Sequence, residues 1–186
     1  LLAVGGVNFH RNFSVGRDAS LEELRQRHDA ILIATGVYKA RTVQVPGAGL
    51  AGVHPAMTYL TASNRKGLGD SVPAFDDGSL DAAGKHVVVI GGGDTAMDCV
   101  RTAVRQGAKS VKCLYRRDRE NMPGSMREVK HAEEEGVEFV WLSAPETFLG
   151  TGKVVQVRAA KMRLGLADAS GRATPQPIEG ADFKLK

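Results

Sequence analysis

The residues best suited to chemistry lie in one short stretch, Gly91-Gly92-Gly93-Asp94-Thr95-Ala96. The stretch satisfies the pattern G-x-G-x-x-A, with an apolar run before it and an amphipathic run after it. Gly91 permits a tight turn, Gly93 lets backbone approach a ligand without a Cβ in the way, and Ala96 lets a helix pack closely on a strand. N–H groups at a helix start attract anions. The pattern predicts a diphosphate-binding turn, the alternative being a glycine-rich turn without a ligand.

An acidic residue follows the glycines directly, which is unexpected beside a phosphate. We expect Asp94 to be the N-cap of the helix, where its carboxylate accepts a backbone N–H bond and is turned aside from the anion. Such a cap stabilises a helix by about 1 kcal/mol. Asp98, one turn further on, is expected to have a structural role.

The residues after the second strand select the dinucleotide. An NAD site uses an acid there to bind the ribose 2′-hydroxyl, whereas the 2′-phosphate of NADPH needs cations. Here Tyr115 is followed by Arg116 and Arg117, whose guanidinium groups suit a phosphate. The sequence therefore favours NADPH, the alternative being that these arginines are solvated surface charge. Asp118 is the acid that an NAD preference would use, and Arg119 is less well placed.

Apolar runs and helical patterns alternate around these residues. They predict a βαβαβ unit with parallel strands, a Rossmann-like α/β fold. Its strands are expected at 86–90, 110–115 and 137–142, and its helices at 94–106 and 126–135. From Glu146 the pattern changes to three strands of an antiparallel β-meander, with a polar turn at 167–174.

The first 85 residues are organised differently. Ser20 and Glu23 form the pattern of a capping box. The continuous apolar run from Ala30 to Ala34, which ends on Thr35 and Gly36, predicts a strand buried on both faces. A helix is expected near 54–63, and a linker rich in Gly, Asp and Ser follows. The predicted division is an incomplete FAD-type domain at 1–53, a crossover and linker at 54–85, and the nucleotide domain at 86–186.

Composition limits the possible functions. The chain has 186 residues, 42% of them hydrophobic and 25% charged, and a net charge of only +4, so neither nucleic acid nor a membrane is an expected partner. Cys99 and Cys113 are too few and too far apart for a redox pair or a metal site and are expected to be small buried residues. A cytoplasmic location is expected. We predict no metal ligand and no catalytic side chain, because hydride transfer between cofactors requires only that two rings be held together.

The stretch from Val87 to Phe139 resembles the NADPH-binding domain of the glutamate synthase small (beta) subunit family. The likeness lies in the combination of G-G-G-D-T-A-M-D with Y-R-R and N-M-P-G-S. The same pattern occurs in the flavin part of dihydropyrimidine dehydrogenase and, more distantly, in adrenodoxin-reductase-like enzymes. Residues 29–53, which contain Ala-Thr-Gly, resemble the part of the FAD domain that precedes the crossover.

The resemblance implies an oxidoreductase. In that family the small subunit oxidises NADPH and passes a hydride to FAD. Electrons then travel through 4Fe-4S clusters to the large subunit, which makes glutamate from 2-oxoglutarate and glutamine-derived ammonia. The resemblance implies that residues 91–96 bind the diphosphate, that Arg116 and Arg117 bind the 2′-phosphate, and that Thr35 and Gly36 lie against the flavin. Glu128 falls where related reductases hold an acid near the nicotinamide, the alternative being a first-turn helix carboxylate.

The sequence also departs from the family. The FAD fingerprint and the cysteine-rich region belong before Leu1, and a closing strand belongs after Lys186, so we expect a part of a longer protein. This part is expected to bind NADPH weakly or moderately, to bind little or no FAD, and not to turn over alone. Two alternatives are another flavoprotein reductase with a different electron-accepting domain, dihydropyrimidine dehydrogenase-like or ferredoxin-NADP reductase-like, and a non-catalytic nucleotide-sensing module. A sensor would have no need of the Ala-Thr-Gly segment.

Overall fold

The computed structural model describes residues 6–36, 42–167, 169 and 171–186. The chain forms two compact units, Leu1–Val37 and Tyr38–Lys186. Helix α1 (Leu21–Arg27) belongs to the first unit. At its start the Ser20 hydroxyl accepts a hydrogen bond from the Glu23 N–H (3.1 Å), and the Glu23 carboxylate accepts one from the Ser20 N–H (2.7 Å). The predicted capping box is confirmed.

The apolar run at 30–34 does not form the predicted strand. Residues 31–36 have no regular secondary structure, and the side chains of Leu32 and Ile33 are 90% and 69% exposed. A strand needs a neighbour for its backbone N–H and C=O groups, and no strand of the described residues pairs with this run. Thr35 and Gly36 are exposed as well, and Gly36 has a φ of +69°.

The second unit is built on a parallel sheet. Its strands β1 (His86–Ile90), β2 (Ser110–Leu114) and β3 (Glu138–Val140) lie side by side in that order. Helix α4 (Asp94–Arg105) connects β1 to β2, and helix α5 (Met126–Glu134) connects β2 to β3. The predicted βαβαβ unit is confirmed, and each helix ends one residue earlier than predicted.

The sheet is apolar on both faces because both are covered. Helices α4 and α5 cover one face, where Val100 and Val129 are fully buried. Leu114 faces the opposite way and is 1% exposed. Burial on both sides explains why β1 is a continuous apolar run from Val87 to Ile90 rather than an alternating one.

An antiparallel sheet covers the second face. Strands β4 (Ser143–Leu149), β5 (Gln156–Ala167) and β6 (Ala173–Leu185) lie in chain order, as predicted for a β-meander. Phe148 and Val157 of this sheet are buried in the same apolar cluster as Leu114. The strand β6 begins at residue 173, inside the segment predicted as a turn.

Residues 42–53 pack on this antiparallel sheet. The N–H of Phe148 donates to the carbonyl oxygen of Pro46 (2.9 Å), and the N–H of Val154 donates to that of Ala51 (2.9 Å). The side chain of Leu50 joins the same apolar cluster. The second compact unit therefore starts well before residue 86, where the sequence predicts the nucleotide domain to start.

The predicted linker is folded against α4. The helix expected near 54–63 is confirmed as α2 (Ala56–Gly67), and the linker predicted after it contains a further short helix, α3 (Pro73–Asp76). The Gln106 amide oxygen accepts hydrogen bonds from the Tyr59 hydroxyl (2.7 Å) and the Ala82 N–H (3.2 Å), while its amide nitrogen donates to the Ser63 hydroxyl (2.9 Å). These side-chain bonds leave no signature in local composition, which is why the segment reads as a linker. Among the described residues, no helix is long and apolar enough to cross a membrane.

Candidate functional site

The glycine turn leaves β1 as the sequence predicts. Gly91 has a φ of +148°, in the region that favours glycine, and its N–H donates to the carbonyl oxygen of Leu114 (3.1 Å). A Cβ added to Gly91 would lie 3.5 Å from the Cβ of Ala96, which is itself buried. A side chain larger than Ala at 96 would push helix α4 away from the turn.

The start of α4 is open and has no side-chain cap. Gly93 is the N-cap residue, with a φ of −95°, and no side chain accepts from the first-turn N–H groups. A Cβ added to Gly93 would meet no atom within 4 Å. Asp94 and Thr95, which follow, are exposed. Free space and unpaired N–H groups at the positive end of a helix fit a diphosphate group.

Gly92 has a packing role that sequence reasoning missed. Gly92 is buried, and a Cβ added there would lie 2.5 Å from Cδ2 of the Tyr115 ring. The Tyr115 hydroxyl donates to the carbonyl oxygen of Asn121 (3.0 Å). Tyr115 is therefore committed to the turn and to the loop beyond β2. The sequence offers one signal for this role: Tyr115 lies directly before Arg116 and Arg117, next to the site predicted from the glycine turn.

Asp94 does not cap α4, so that prediction is wrong. It lies one position inside the helix, and its Oδ1 accepts a hydrogen bond from the backbone N–H of Ser125 (3.0 Å). Beside this contact the Gly124 N–H donates to the carbonyl oxygen of Gly92 (2.9 Å). The Asp94 carboxylate therefore binds the backbone of residue 125 rather than capping its own helix.

The two arginines after β2 differ in environment. Arg116 is exposed, whereas Arg117 is only 5% exposed and its Nε donates to the carbonyl oxygen of Ala173 on β6 (2.7 Å). The Asp118 carboxylate accepts from both the N–H (3.0 Å) and the side-chain amide (2.7 Å) of Asn121. The acid that an NAD preference would use is therefore engaged in holding a turn.

Glu128 lies on α5 and forms an ion pair with α4, the other helix that covers the same face of the sheet. Its carboxylate forms a salt bridge with Arg101 on α4, and Arg101 also donates to Glu135 (2.8 Å). Arg105 donates to the same Glu135 oxygen (3.0 Å). Burial acts to raise the pKa of Glu135, but the hydrogen bonds from the two arginines outweigh it and hold the pKa below its ordinary value. The contacts of Glu128 are those of the first-turn carboxylate alternative.

Both cysteines are buried and free, as predicted. The Cys113 thiol donates to the carbonyl oxygen of Gly91 (3.3 Å). Burial raises the pKa of Cys113 and of Cys99 to about 12 each. Thiols in this state are poor nucleophiles at neutral pH. In the described part of the chain, no group of three or more His, Cys, Asp or Glu residues is arranged to hold a metal ion.

The chain is similar in sequence to several characterised and named proteins. Over the full chain, 66% of residues are identical to "Glutamate synthase [NADPH] small chain" from Azospirillum brasilense, of which the match covers 39%. The "NADPH-Fe(3+) oxidoreductase subunit beta" from Geobacter sulfurreducens is 39% identical over 97% of this chain and 26% of the relative. The chain thus spans less than half the length of these relatives.

A solved structure shares the fold. FprA from Mycobacterium tuberculosis, in complex with NADPH, matches with a TM-score of 0.69 and 20% identity over 94% of this chain and 51% of that one. The family model described as "Pyridine nucleotide-disulphide oxidoreductase" matches residues 6–169. With its Rossmann-like fold and its open glycine turn, the chain belongs to the pyridine nucleotide-disulphide oxidoreductase family.

Proposed function

We propose that this chain is the NADPH-binding part of the small subunit of an NADPH-dependent glutamate synthase. The observation that carries the proposal is the open, uncapped start of α4 at Gly93, with the exposed Arg116 following the neighbouring strand. The first feature suits any dinucleotide, and the second adds a cation for the 2′-phosphate of NADPH. The 66% identity to a glutamate synthase small chain supports the choice of enzyme.

The residues divide the work of binding. The turn at 91–96 would hold the diphosphate through the first-turn N–H groups, with Gly93 leaving room for it. Arg116 would bind the 2′-phosphate by paired N–H bonds. Arg117 belongs to the same site in this proposal, but its burial and its bond to Ala173 favour a supporting role for it.

Two further assignments concern the redox centre. NADPH, when bound, supplies a hydride that FAD can accept. We propose that Thr35 and Gly36 lie against the flavin and that Glu128 lies near the nicotinamide. The ion pair of Glu128 with Arg101 favours a role in joining α4 and α5 over direct contact with the nicotinamide. A Glu128→Gln variant tests this assignment: full activity of the variant would remove Glu128 from the redox centre.

The same proposal assigns partners to the whole protein. FAD and 4Fe-4S clusters would carry electrons from NADPH to the large subunit, where glutamate is formed. A cytoplasmic location belongs to this proposal, since both cysteines are free. The relative named as an NADPH-Fe(3+) oxidoreductase subunit favours one alternative, the same scaffold with a different electron acceptor.

Titration of the purified protein with NADPH and NADH tests the nucleotide assignment. We expect NADPH to bind at least about tenfold more tightly, a difference of about 1.4 kcal/mol, and Arg116→Ala to abolish the preference by weakening NADPH binding alone. Arg65→Ala is the matched control, because it removes an exposed arginine of α2. Equal affinity of the unmodified protein for both nucleotides would refute the assignment.

Reconstitution tests the enzyme assignment separately. The full-length protein, mixed with a glutamate synthase large subunit, should form glutamate from 2-oxoglutarate and glutamine in the presence of NADPH. NADPH oxidation that requires a different acceptor, with no glutamate formed, would favour the alternative reductase. NADPH binding without oxidation by the full-length protein would favour the sensor.

A further inference from the structure

We propose that Asp94 is a positioning residue for dinucleotide binding, which acts by holding residues 121–125 against the glycine turn. The proposal rests on the proposed function and adds a role to the one residue of the turn whose charge opposes an anionic ligand. It explains why an acid is compatible with this position: the carboxylate binds the loop and not the nucleotide.

The central contact joins residues distant in the chain. Asp94 Oδ1 accepts from the N–H of Ser125 at 3.0 Å, across 31 positions. Asp94 is the first residue of α4, and Ser125 is the N-cap of α5. The carboxylate therefore lies at the positive ends of two helix dipoles, where a negative charge is stabilised. The side chain of Ser125 makes no capping hydrogen bond at the start of α5. The group of Ser125 that binds Asp94 is its backbone N–H.

The loop meets the turn backbone to backbone at a second point. The N–H of Gly124 donates to the carbonyl oxygen of Gly92 at 2.9 Å. A Cβ added to Gly124 would lie 3.0 Å from that same oxygen, closer than ordinary contact. The close approach fixes the carbonyl group of the turn next to Gly93, whose surroundings are open.

The far end of the loop is fixed as well. The Tyr115 hydroxyl donates to the carbonyl oxygen of Asn121 (3.0 Å), and Asp118 accepts from the N–H of Asn121 (3.0 Å). With one end held by these contacts, the bond from Ser125 to Asp94 fixes the other. The turn and the loop thus form one preassembled unit, and a preorganised site loses less entropy on binding.

Three variants separate positioning from charge. Asp94→Ala removes the acceptor and the charge, Asp94→Asn keeps an acceptor oxygen without the charge, and Ser125→Pro removes the donated N–H at a residue whose φ of −57° suits proline. Affinities for NADPH and NADH are measured for each by titration. The matched control is Asp98→Ala, which removes an exposed carboxylate one turn further along α4.

Asp94→Ala and Ser125→Pro should each weaken NADPH and NADH binding by about tenfold, leaving their ratio unchanged, because the loop acts at the part common to both. Asp94→Asn should restore the affinity of the unmodified protein, and Asp98→Ala should not change it. The double variant Asp94→Ala with Ser125→Pro should lose no more than either single one, because both break the same bond.

Several results would overturn the proposal. If Asp94→Ala and Asp94→Asn both bound more tightly, Asp94 would act only by its charge. A lower melting temperature of Asp94→Ala with unchanged affinity would make the contact purely structural, and multiplied losses in the double variant would make the two residues independent. If Asp94→Ala does not fold, Ser125→Pro and Asp94→Asn decide by the same criteria. Absence of nucleotide binding by the unmodified protein would instead refute the proposed function.

Discussion

The two ends of the proposed nucleotide site are built in different ways. At the diphosphate end the structure uses backbone: Gly93 is open, Gly92 lies under an aromatic ring, and the Gly124 N–H binds the Gly92 carbonyl oxygen. At the adenosine end it uses two successive arginine side chains, of which Arg116 is exposed and Arg117 is bound to β6. At the first end Gly92 is tied to the packing of the fold, whereas Gly93 beside it is not.

The difference separates affinity from selectivity. In the proposed site, the backbone groups that would bind the diphosphate would serve NADPH and NADH equally. The proposed preference for NADPH would rest mainly on Arg116, whose side chain is exposed. Mutations at the two ends should therefore differ in their effects on stability and on nucleotide preference. Three substitutions at or beside the two ends test this difference, and a fourth, Glu135→Gln, lies outside both; the expected effects decrease from Gly92 to Arg119.

Gly92→Ala should be the most damaging change. Its Cβ would lie 2.5 Å from Cδ2 of the Tyr115 ring, so ring and turn must separate, and we expect a loss of about 3 kcal/mol in the free energy of unfolding. Urea denaturation measures it. Gly93→Ala is the matched control: its added Cβ meets no atom within 4 Å, so it should change stability by less than about 1 kcal/mol while weakening nucleotide binding. Equal losses of stability would contradict the division.

Arg117→Met should destabilise the adenosine end. The substitution leaves the carbonyl oxygen of Ala173 without its donor, which should lower the free energy of unfolding by about 1 to 2 kcal/mol. Arg116→Met, its exposed neighbour, should change the free energy of unfolding by less than about 0.5 kcal/mol while abolishing the NADPH preference. The opposite pattern in thermal unfolding and titration would reverse the roles of the two arginines.

Glu135→Gln should alter the pH dependence of stability. Because the pKa of Glu135 is lowered in the folded state, its ion pairs stabilise the protein above the ordinary pKa of 4.5, and this contribution is lost as the pH falls toward the folded-state pKa. Urea titrations between pH 3 and 7 should show a flatter acid limb for the variant, with little change in nucleotide affinity. Identical pH profiles would contradict a lowered pKa of Glu135 in the folded state, and a steeper acid limb in the variant would reverse the sign of the shift.

Arg119→Ala should have the smallest effect. Arg119 forms a two-point salt bridge with Glu133 at 3.0 Å, but both side chains are substantially exposed, so its removal should cost less than about 1 kcal/mol. NADPH affinity should stay within about threefold of the unmodified protein, since the guanidinium is held by Glu133. A tenfold loss of NADPH affinity would add Arg119 to the adenosine end.

Local patterns were sufficient to predict the sheet and its helices. The spacing of apolar runs and the glycine at each helix end determine the βαβαβ unit without knowledge of distant contacts. The geometry of the turn between β1 and α4 follows from backbone requirements that Gly91, Gly93 and Ala96 satisfy by their residue types alone.

Features that depend on distant partners could not be predicted in the same way. The position of Asp94 depends on Ser125, and the burial of Arg117 depends on Ala173, which lies 56 positions further on. The run at 30–34 has the composition of a buried strand, but composition does not supply the neighbouring strand that its backbone requires. Because no strand of the described residues pairs with this run, it forms no strand, and its Leu32 is exposed.

The two buried cysteines have a practical consequence. With thiol pKa values of about 12, only a very small fraction of Cys99 or Cys113 is ionised at neutral pH. A thiol reagent should therefore leave the native chain unlabelled and react once the packing between α4 and β2 opens. The rate of that labelling reports the opening of this core, and a single cysteine introduced on the surface could carry a fluorophore without competing background.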